Sequence, residues 1–177
     1  MQTDHELMLA YRGGDRTAFE LLFDRYRDPV WRFFRRRVVD PTRAEELTQE
    51  TFLAVIQGAR RYEPRAEFRS YLFGIAFNQL LADRRRARRE QARTAEPRDV
   101  AGEGADPNAV IWVRQALASL DDIDREVLML REYDAFSYDE IAALLRIPVG
   151  TVRSRLFRAR EALRGALAGR ETQEVMQ

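Results

Sequence analysis

The chain has no cysteine, no lysine and a single histidine, His5. The missing cysteine removes disulfides, thiolate zinc sites and thiol nucleophiles together, so any redox signal has to enter through a partner. His5 lies near one end, where it reads as a solvated side chain, and alone it supplies neither a metal cluster nor a general base. A nuclease would need such a base, or carboxylates grouped around magnesium. Glu45, Glu46 and Glu50 sit on one helix face without companion ligands. No catalytic residue, metal or cofactor is therefore expected. Long apolar runs are also missing. Nothing approaches the roughly 18 residues needed to span a bilayer, and MQTDHELMLA lacks the basic-then-apolar order of a signal peptide. The expectation is a cytoplasmic protein with no membrane segment of its own.

What the chain does have is 45% hydrophobic and 33% charged residues over 177 positions, enough for one domain or two small ones with a soluble surface. The net charge of +1 conceals a segregation of charge, with all 30 basic residues being arginine. Six arginines lie between Arg84 and Arg93, and six more between Arg146 and Arg164 against only Glu161. Between these clusters TAEPRDVAGEGADPN holds two prolines, two glycines and four acids with almost no large apolar side chain. Such a segment buries too little to order itself and reads as a flexible acidic linker over 93–108. It separates a segment 1–92 from a segment 109–170, with a tail at 171–177.

The second segment carries the sharpest motif, FSYDEIAALLRIPVGTVRSRLFRAR, from Phe136 to Arg160. Ser137 and Glu140 have the S-x-x-E form of a capping box, which starts a helix at Tyr138. Ile141, Ala142 and Leu145 form its buried stripe. Pro148 cannot extend that helix, which confines a turn to Arg146, Ile147 and Pro148. In the next helix Val152, Leu156, Ala159 and Leu163 share one side. Arg153, Ser154, Phe157 and Arg158 share another, the face that a recognition helix presents to the major groove. Arginine can donate two hydrogen bonds to guanine, and an aromatic ring can touch a thymine methyl. Thr151 belongs to the start of this helix, and Arg155 and Arg160 flank the groove as candidates for phosphate contacts.

The first segment reads as helices throughout. Asp4 is expected to cap a short helix ended by Gly13 and Gly14, and Asp15 the next, with Phe19, Leu22, Phe23 and Tyr26 as its apolar stripe. Asp28 and Pro29 interrupt or kink it before Val30, Phe33, Phe34 and Val38 continue. A third helix, from about Thr42 to Arg61, buries Leu47, Phe52, Val55 and Ile56. Glu45, Glu46, Gln49 and Glu50 on its outer face make either an ordinary solvated surface or a protein contact. A fourth, from about Glu67 to Arg89, buries Leu72, Ile75, Ala76 and Leu80. Its Phe68, Tyr71 and Asn78, with the arginines from Arg84 and Arg85 onward, include groups able to face outward. Rings beside arginines and an amide suit single-stranded DNA, where bases stack and arginines follow phosphates.

Taken in order, ELTQETFLAV (Glu46 to Val55), FRSYLFGIAFNQLLADRRR (Phe68 to Arg86) and FSYDEIAALLRIPVGTVRSRLFRARE (Phe136 to Glu161) resemble three motifs of bacterial sigma factors of the extracytoplasmic-function group. They resemble the acidic motif of region 2, the promoter-melting helix and the region 4 helix-turn-helix. The resemblance implies an all-α protein of two small helical domains, region 2 and region 4, and it implies a function. Glu45, Glu46, Gln49 and Glu50 would bind the clamp helices of the RNA polymerase β′ subunit, with the β flap as a further contact. Tyr62, Phe68, Tyr71, Asn78, Arg84 and Arg85 would serve capture of the melted -10 element. Arg153, Ser154, Phe157 and Arg158 would read the -35 duplex, with Thr151, Arg155 and Arg160 beside them. The acidic linker would pass near the RNA exit path, and an anti-sigma factor would hold the chain inactive.

Several positions depart from the family pattern. Tyr71 stands where tryptophan is usual, Ala135 and Arg146 where glycine is common, and Leu120-Asp121 replaces a frequent Leu-Pro, with Asp121 able to act as an N-cap. The competing reading is a two-domain helix-turn-helix regulator that binds a two-fold symmetric duplex site without polymerase.

Overall fold

The computed structural model describes residues 2–94 and 115–174, with side chains as far as Glu90 and from Gln115 to Gly165. The expected linker falls almost wholly outside the described residues. All regular structure among the described residues is helical, in two compact units that divide between Gly102 and Glu103. No described helix is long and apolar enough to cross a membrane.

In the first unit, α1 (Asp4–Arg12) is opened by Thr3 rather than by Asp4. Thr3 accepts from the Glu6 amide at 3.3 Å, and the Glu6 carboxylate accepts from the Thr3 amide at 2.7 Å. The signal T-x-x-E was there to be read, and the capping box holds the Glu6 carboxyl below its ordinary range through the Thr3 backbone amide. Asp4 turns instead to the next helix, accepting from Arg25 and from the Tyr26 hydroxyl. Gly14, at φ +107°, makes the turn that ends α1. Asp15 then caps α2 (Arg16–Arg35) by accepting from the amides of Thr17 and Ala18.

Of the expected interruption or kink at Asp28 and Pro29, the interruption does not occur: α2 continues to Arg35 with Pro29 inside it. Proline removes one backbone hydrogen bond, while Val30, Phe33 and Phe34 just beyond are fully buried and tie the last turns to the core. Next, α3 (Pro41–Gly58) opens with Asp40 accepting from the Thr42 amide at 2.9 Å and with Pro41 in the first turn. A short 3-10 turn (Ala59–Arg61) follows it. Leu47, Phe52 and Val55 are buried as expected, but Ile56 is 39% exposed. The buried stripe includes Thr48 and Thr51 instead, whose hydroxyls donate to the carbonyls of Ala44 and Leu47, both at 2.8 Å. Satisfying the hydroxyl within the helix makes a threonine compatible with a core.

The fourth helix, α4 (Phe68–Thr94), extends beyond the expected Arg89. Leu72, Ala76 and Leu80 are buried, Ile75 only partly, and Phe73 and Phe77 join the core. The helices α1 to α4 pack in succession, α2 on α1, α3 on α2 and α4 on α3.

The second unit contains a helical stretch over 115–118 and then α5 (Asp122–Glu132), α6 (Tyr138–Leu145) and α7 (Val149–Glu174). Asp121 caps α5 by accepting from the Ile123 amide at 2.9 Å, the role expected of it in place of proline. Arg125 donates to the carbonyls of Leu117, Ala118 and Leu120 at 2.7, 3.0 and 2.9 Å, which supplies partners to the end of the preceding stretch. Both α5 and α6 pack on α7. The last helix runs through 174, so that 171–174, assigned to a tail from sequence, are helical.

Candidate nucleic-acid interface

The helix-turn-helix forms as its sequence dictates. Ser137 accepts from the Glu140 amide at 3.2 Å while Glu140 accepts from the Ser137 amide at 2.8 Å, so the box closes and α6 starts at Tyr138. Arg146 ends α6 in the left-handed conformation at φ 55°, and α7 begins after Pro148. Val152, Leu156 and Ala159 are buried and Leu163 half-buried, which fixes the rotation of α7 about its axis. The opposite face is therefore open. Arg153 and Ser154 are exposed, and Phe157 is 67% exposed, a large ring held in water on a helix that has an apolar side available. Ser154 donates its hydroxyl to the Thr151 carbonyl at 3.0 Å, leaving its oxygen as an acceptor.

The two flanking arginines are not equivalent, and here the structure corrects the sequence. Arg155 does not reach outward. Its Nη1 donates to Asp124 at 2.8 Å, with Asp121 at 3.9 Å, and its Nε is buried without a partner. An unpaired buried donor carries a penalty of about 1–3 kcal/mol, one sign that the pull of Asp124 sets this side chain's position. Arg155 is thus a strut between α7 and α5, not a free phosphate contact. Arg160 is forked onto Glu132 at 3.1 and 2.6 Å, and this bond raises its basicity. That pair is exposed, and exposed pairs contribute at most about 1 kcal/mol, so a phosphate can displace Glu132. Arg158 is half-committed: its Nη2 donates to Asp124 at 3.2 Å while its side chain remains 60% exposed.

In the first unit the expected -10 group divides between core and surface. Phe68 and Tyr62 are buried, at 1% and 3% exposure, so neither ring offers a face to a base. Phe68 lies four residues before Leu72, in line with Ala76 and Leu80, and packs in the core with them, against the expectation that it faces outward. Together with Tyr26 and Tyr71 these rings form an edge-to-face cluster, Tyr62 to Tyr71 at 5.0 Å and Tyr26 to Phe68 at 5.5 Å between centroids. Burial pushes the Tyr62 hydroxyl up to about 12. His5, expected in solvent, instead shares a 2.6 Å hydrogen bond with that hydroxyl. Nothing in the local sequence signals this contact across 57 positions.

Tyr71, half-buried, Asn78, exposed, and Arg85, exposed, recur every seven residues and so share one face of α4. Arg84 is half-buried beside them. The Tyr71 hydroxyl lies against Gly58, where a Cβ would come within 2.8 Å of it, so glycine at the end of α3 lets this ring settle.

On α3, Glu46 and Gln49 are exposed and Glu45 and Glu50 half-exposed. Arg43 organises them. Its Nη1 donates to Glu46 at 2.7 Å and Glu50 at 2.9 Å, and its Nε donates to Asp83 of α4 at 2.8 Å. Burial would lower its basicity, but bonds to three carboxylates outweigh that and raise it. The same face continues into Leu53 and Ile56, 54% and 39% exposed, which the sequence reading had not placed there.

Two family models match, Sigma-70 region 2 over residues 22–90 and Sigma-70, region 4, over residues 111–163. The chain is 36% identical to the RNA polymerase sigma factor CarQ of Myxococcus xanthus over 90% of this chain and 95% of that one. It is 33% identical to the ECF RNA polymerase sigma-E factor of Escherichia coli K12, covering 91% and 92%.

The chain belongs to the extracytoplasmic-function group of the sigma-70 family.

Sigma factors of this family direct RNA polymerase to promoters, and the full-length similarity favours that function over a stand-alone regulator. Among solved structures, CnrH in complex with the cytosolic domain of CnrY matches with a TM-score of 0.71 and 28% identity over 95% of this chain and 99% of that one. The sigma factor RpoE of Bartonella quintana, in complex with the anti-sigma factor NepR, matches with 0.73 and 25% identity over 85% and 96%. In this sigma factor α3 and α4 thus lie in region 2, and α6 and α7 in region 4.

Proposed function

We propose that the sigma factor divides promoter reading between α7 and α4 and docks on polymerase through α3. Arg153, Phe157 and Arg158, with Ser154 as an acceptor, read the -35 element in the major groove, and Arg160 exchanges Glu132 for a phosphate. The observation that carries this is the orientation of α7: its buried stripe turns Phe157 and the arginines outward together. The stripe of Tyr71, Asn78 and Arg85 follows the opened -10 strand, Tyr71 by a ring edge or face and Asn78 by its amide. Tyr62 and Phe68 act behind it as the packed wall that fixes Tyr71. The face of Glu45, Glu46, Gln49 and Glu50, continued by Leu53 and Ile56, binds the polymerase clamp helices, and region 4 meets the β flap.

Region 2 then occupies about 1–92, the linker 93–108 and region 4 109–170. The chain is no enzyme on this reading; polymerase supplies the catalysis, and the chain acts at the nucleoid. An anti-sigma factor restrains it, a reading supported by the similarity to RpoE, which was solved in complex with the anti-sigma factor NepR. The test is transcription by core polymerase on a promoter pool, with and without the chain. Transcripts that start at defined sites only when the chain is present are expected. A chain that elutes apart from core polymerase, yet shifts a palindromic duplex alone, would contradict the proposal.

A further inference from the structure

Asp124 reaches Arg158 on the reading face of α7 from another helix, whereas Glu132 reaches only the flanking Arg160. It lies in the first turn of α5, only 8% exposed, and one oxygen accepts from two arginines, Arg155 at 2.8 Å and Arg158 at 3.2 Å. Arg155 fills the interior side of that oxygen with a side chain 24% exposed, whereas the Arg158 side chain is 60% exposed. The carboxylate is therefore a fixed anchor, and Arg158 is tethered to it at one nitrogen with most of its fork in solvent. A guanidinium has five N–H donors in one plane, so a bond to Asp124 leaves enough for two bonds to a guanine edge.

The geometry points to Asp124 as a specificity-determining positioning residue, which orders Arg158 for base readout through Nη2. This rests on the reading of Arg158 as a base contact. An untethered arginine freezes its rotamers on binding, and a fork fixed beforehand loses less freedom for each hydrogen bond it forms. The anchor's charge acts in the other direction on phosphates. A carboxylate beside the DNA-facing arginines offsets part of the attraction that drives sequence-independent binding. Both effects raise the preference for one base over others at the expense of general affinity.

Holoenzyme assembled from core RNA polymerase and the full-length chain, as wild type, Asp124→Asn, Asp124→Glu or Arg158→Ala, is used to select promoter duplexes randomised upstream. Melting of each free chain is followed in parallel. Arg158→Ala is expected to flatten the preference at one base step. Asp124→Asn is expected to reduce the preference at that same step about tenfold, leave the other steps in place, and raise retention on a non-promoter duplex a few-fold. Asp124→Glu keeps the charge but moves the oxygens, and gives a smaller loss at the same step; it carries the test should Asp124→Asn fail to fold. If both Asp124 variants spare the step that Arg158→Ala flattens, or weaken every step alike, Asp124 merely holds α5 to α7 and the inference falls while Arg158 keeps its role. If Arg158→Ala flattens nothing, the reading of Arg158 is itself wrong and the inference falls with it.

Discussion

Ala135 and Arg146 both hold φ at 55°, where the Cβ of an L-residue crowds the following carbonyl. The family's usual glycine would relieve that strain, worth roughly 1–2 kcal/mol, though glycine also gives up about 0.5–1 kcal/mol in backbone entropy. Ala135→Gly should therefore raise stability by about 0.5–1 kcal/mol, read as a higher urea midpoint with unchanged slope. Tyr62 makes a second prediction, through pH. Its folded-state pKa of about 12 lies above the ordinary 10.0, so the folded chain holds this proton more tightly. That contribution is complete below pH 10 and disappears as pH rises toward 12. Melting temperature should fall across this interval, and Tyr62→Phe should make the fall shallower. Individual residues were also where sequence reading failed most. The capping roles of Ser137, Asp15 and Asp121 are local and were legible. The Asp124 anchor of Arg155 and the His5 bond to Tyr62 join elements far apart in sequence, and no periodicity carries that information.

Helices as units were easier to read, because a buried stripe and two caps nearly determine a helix. Where their bounds or faces moved, the cause was a neighbour. Core packing beyond Pro29 keeps α2 going, and Ile56 is outward because Thr48 and Thr51 satisfy their hydroxyls within α3. At this scale Arg43 is the consequential residue, since it joins the acidic face of α3 to Asp83 of α4. Arg43→Ala leaves Asp83, with a side chain only 13% exposed, without its closest partner. Hydrogen bonds between charged groups contribute about 1.5–3 kcal/mol; partial exposure places the expected loss near the lower end, measurable by urea unfolding. Charge reversal at Glu46 and Glu50, by contrast, should weaken polymerase binding in gel filtration with circular dichroism unchanged. Unaltered binding would remove the α3 face from the docking surface. On α4, Asn78→Ala should slow open-complex formation on duplex templates more than on pre-melted ones, and equal loss on both would separate Asn78 from strand capture.

For the molecule as a whole, a net charge of +1 is the result of separation rather than neutrality. Acidic side chains gather on α3 while arginines crowd the end of α4 and the outer side of α7, so the same chain can meet a basic partner and a phosphate backbone with different surfaces. The two-unit, all-helical organisation was legible from the proline-, glycine- and acid-rich composition of 93–108 and from the helical spacing on either side. What composition could not convey was how little free cation the reading helix has. Arg155 and Arg160 are paired within the protein and Arg158 partly so, which leaves Arg153 and a shared Arg158 as the outward charges of the central face. Such a helix should bind duplex weakly by itself, with a shallow salt dependence, and rely on polymerase for the rest of its affinity.

The most direct test is a selection of initiating promoters from a randomised pool, run with holoenzymes carrying the wild-type chain, Arg153→Ala or Asn78→Ala. Two blocks of preferred sequence are expected with wild type. Arg153→Ala should cost about 1–3 kcal/mol at a step of the upstream block alone, and Asn78→Ala should erode only the downstream block. Loss of both blocks with either variant, or one symmetric block selected without polymerase, would contradict a reader divided between α7 and α4.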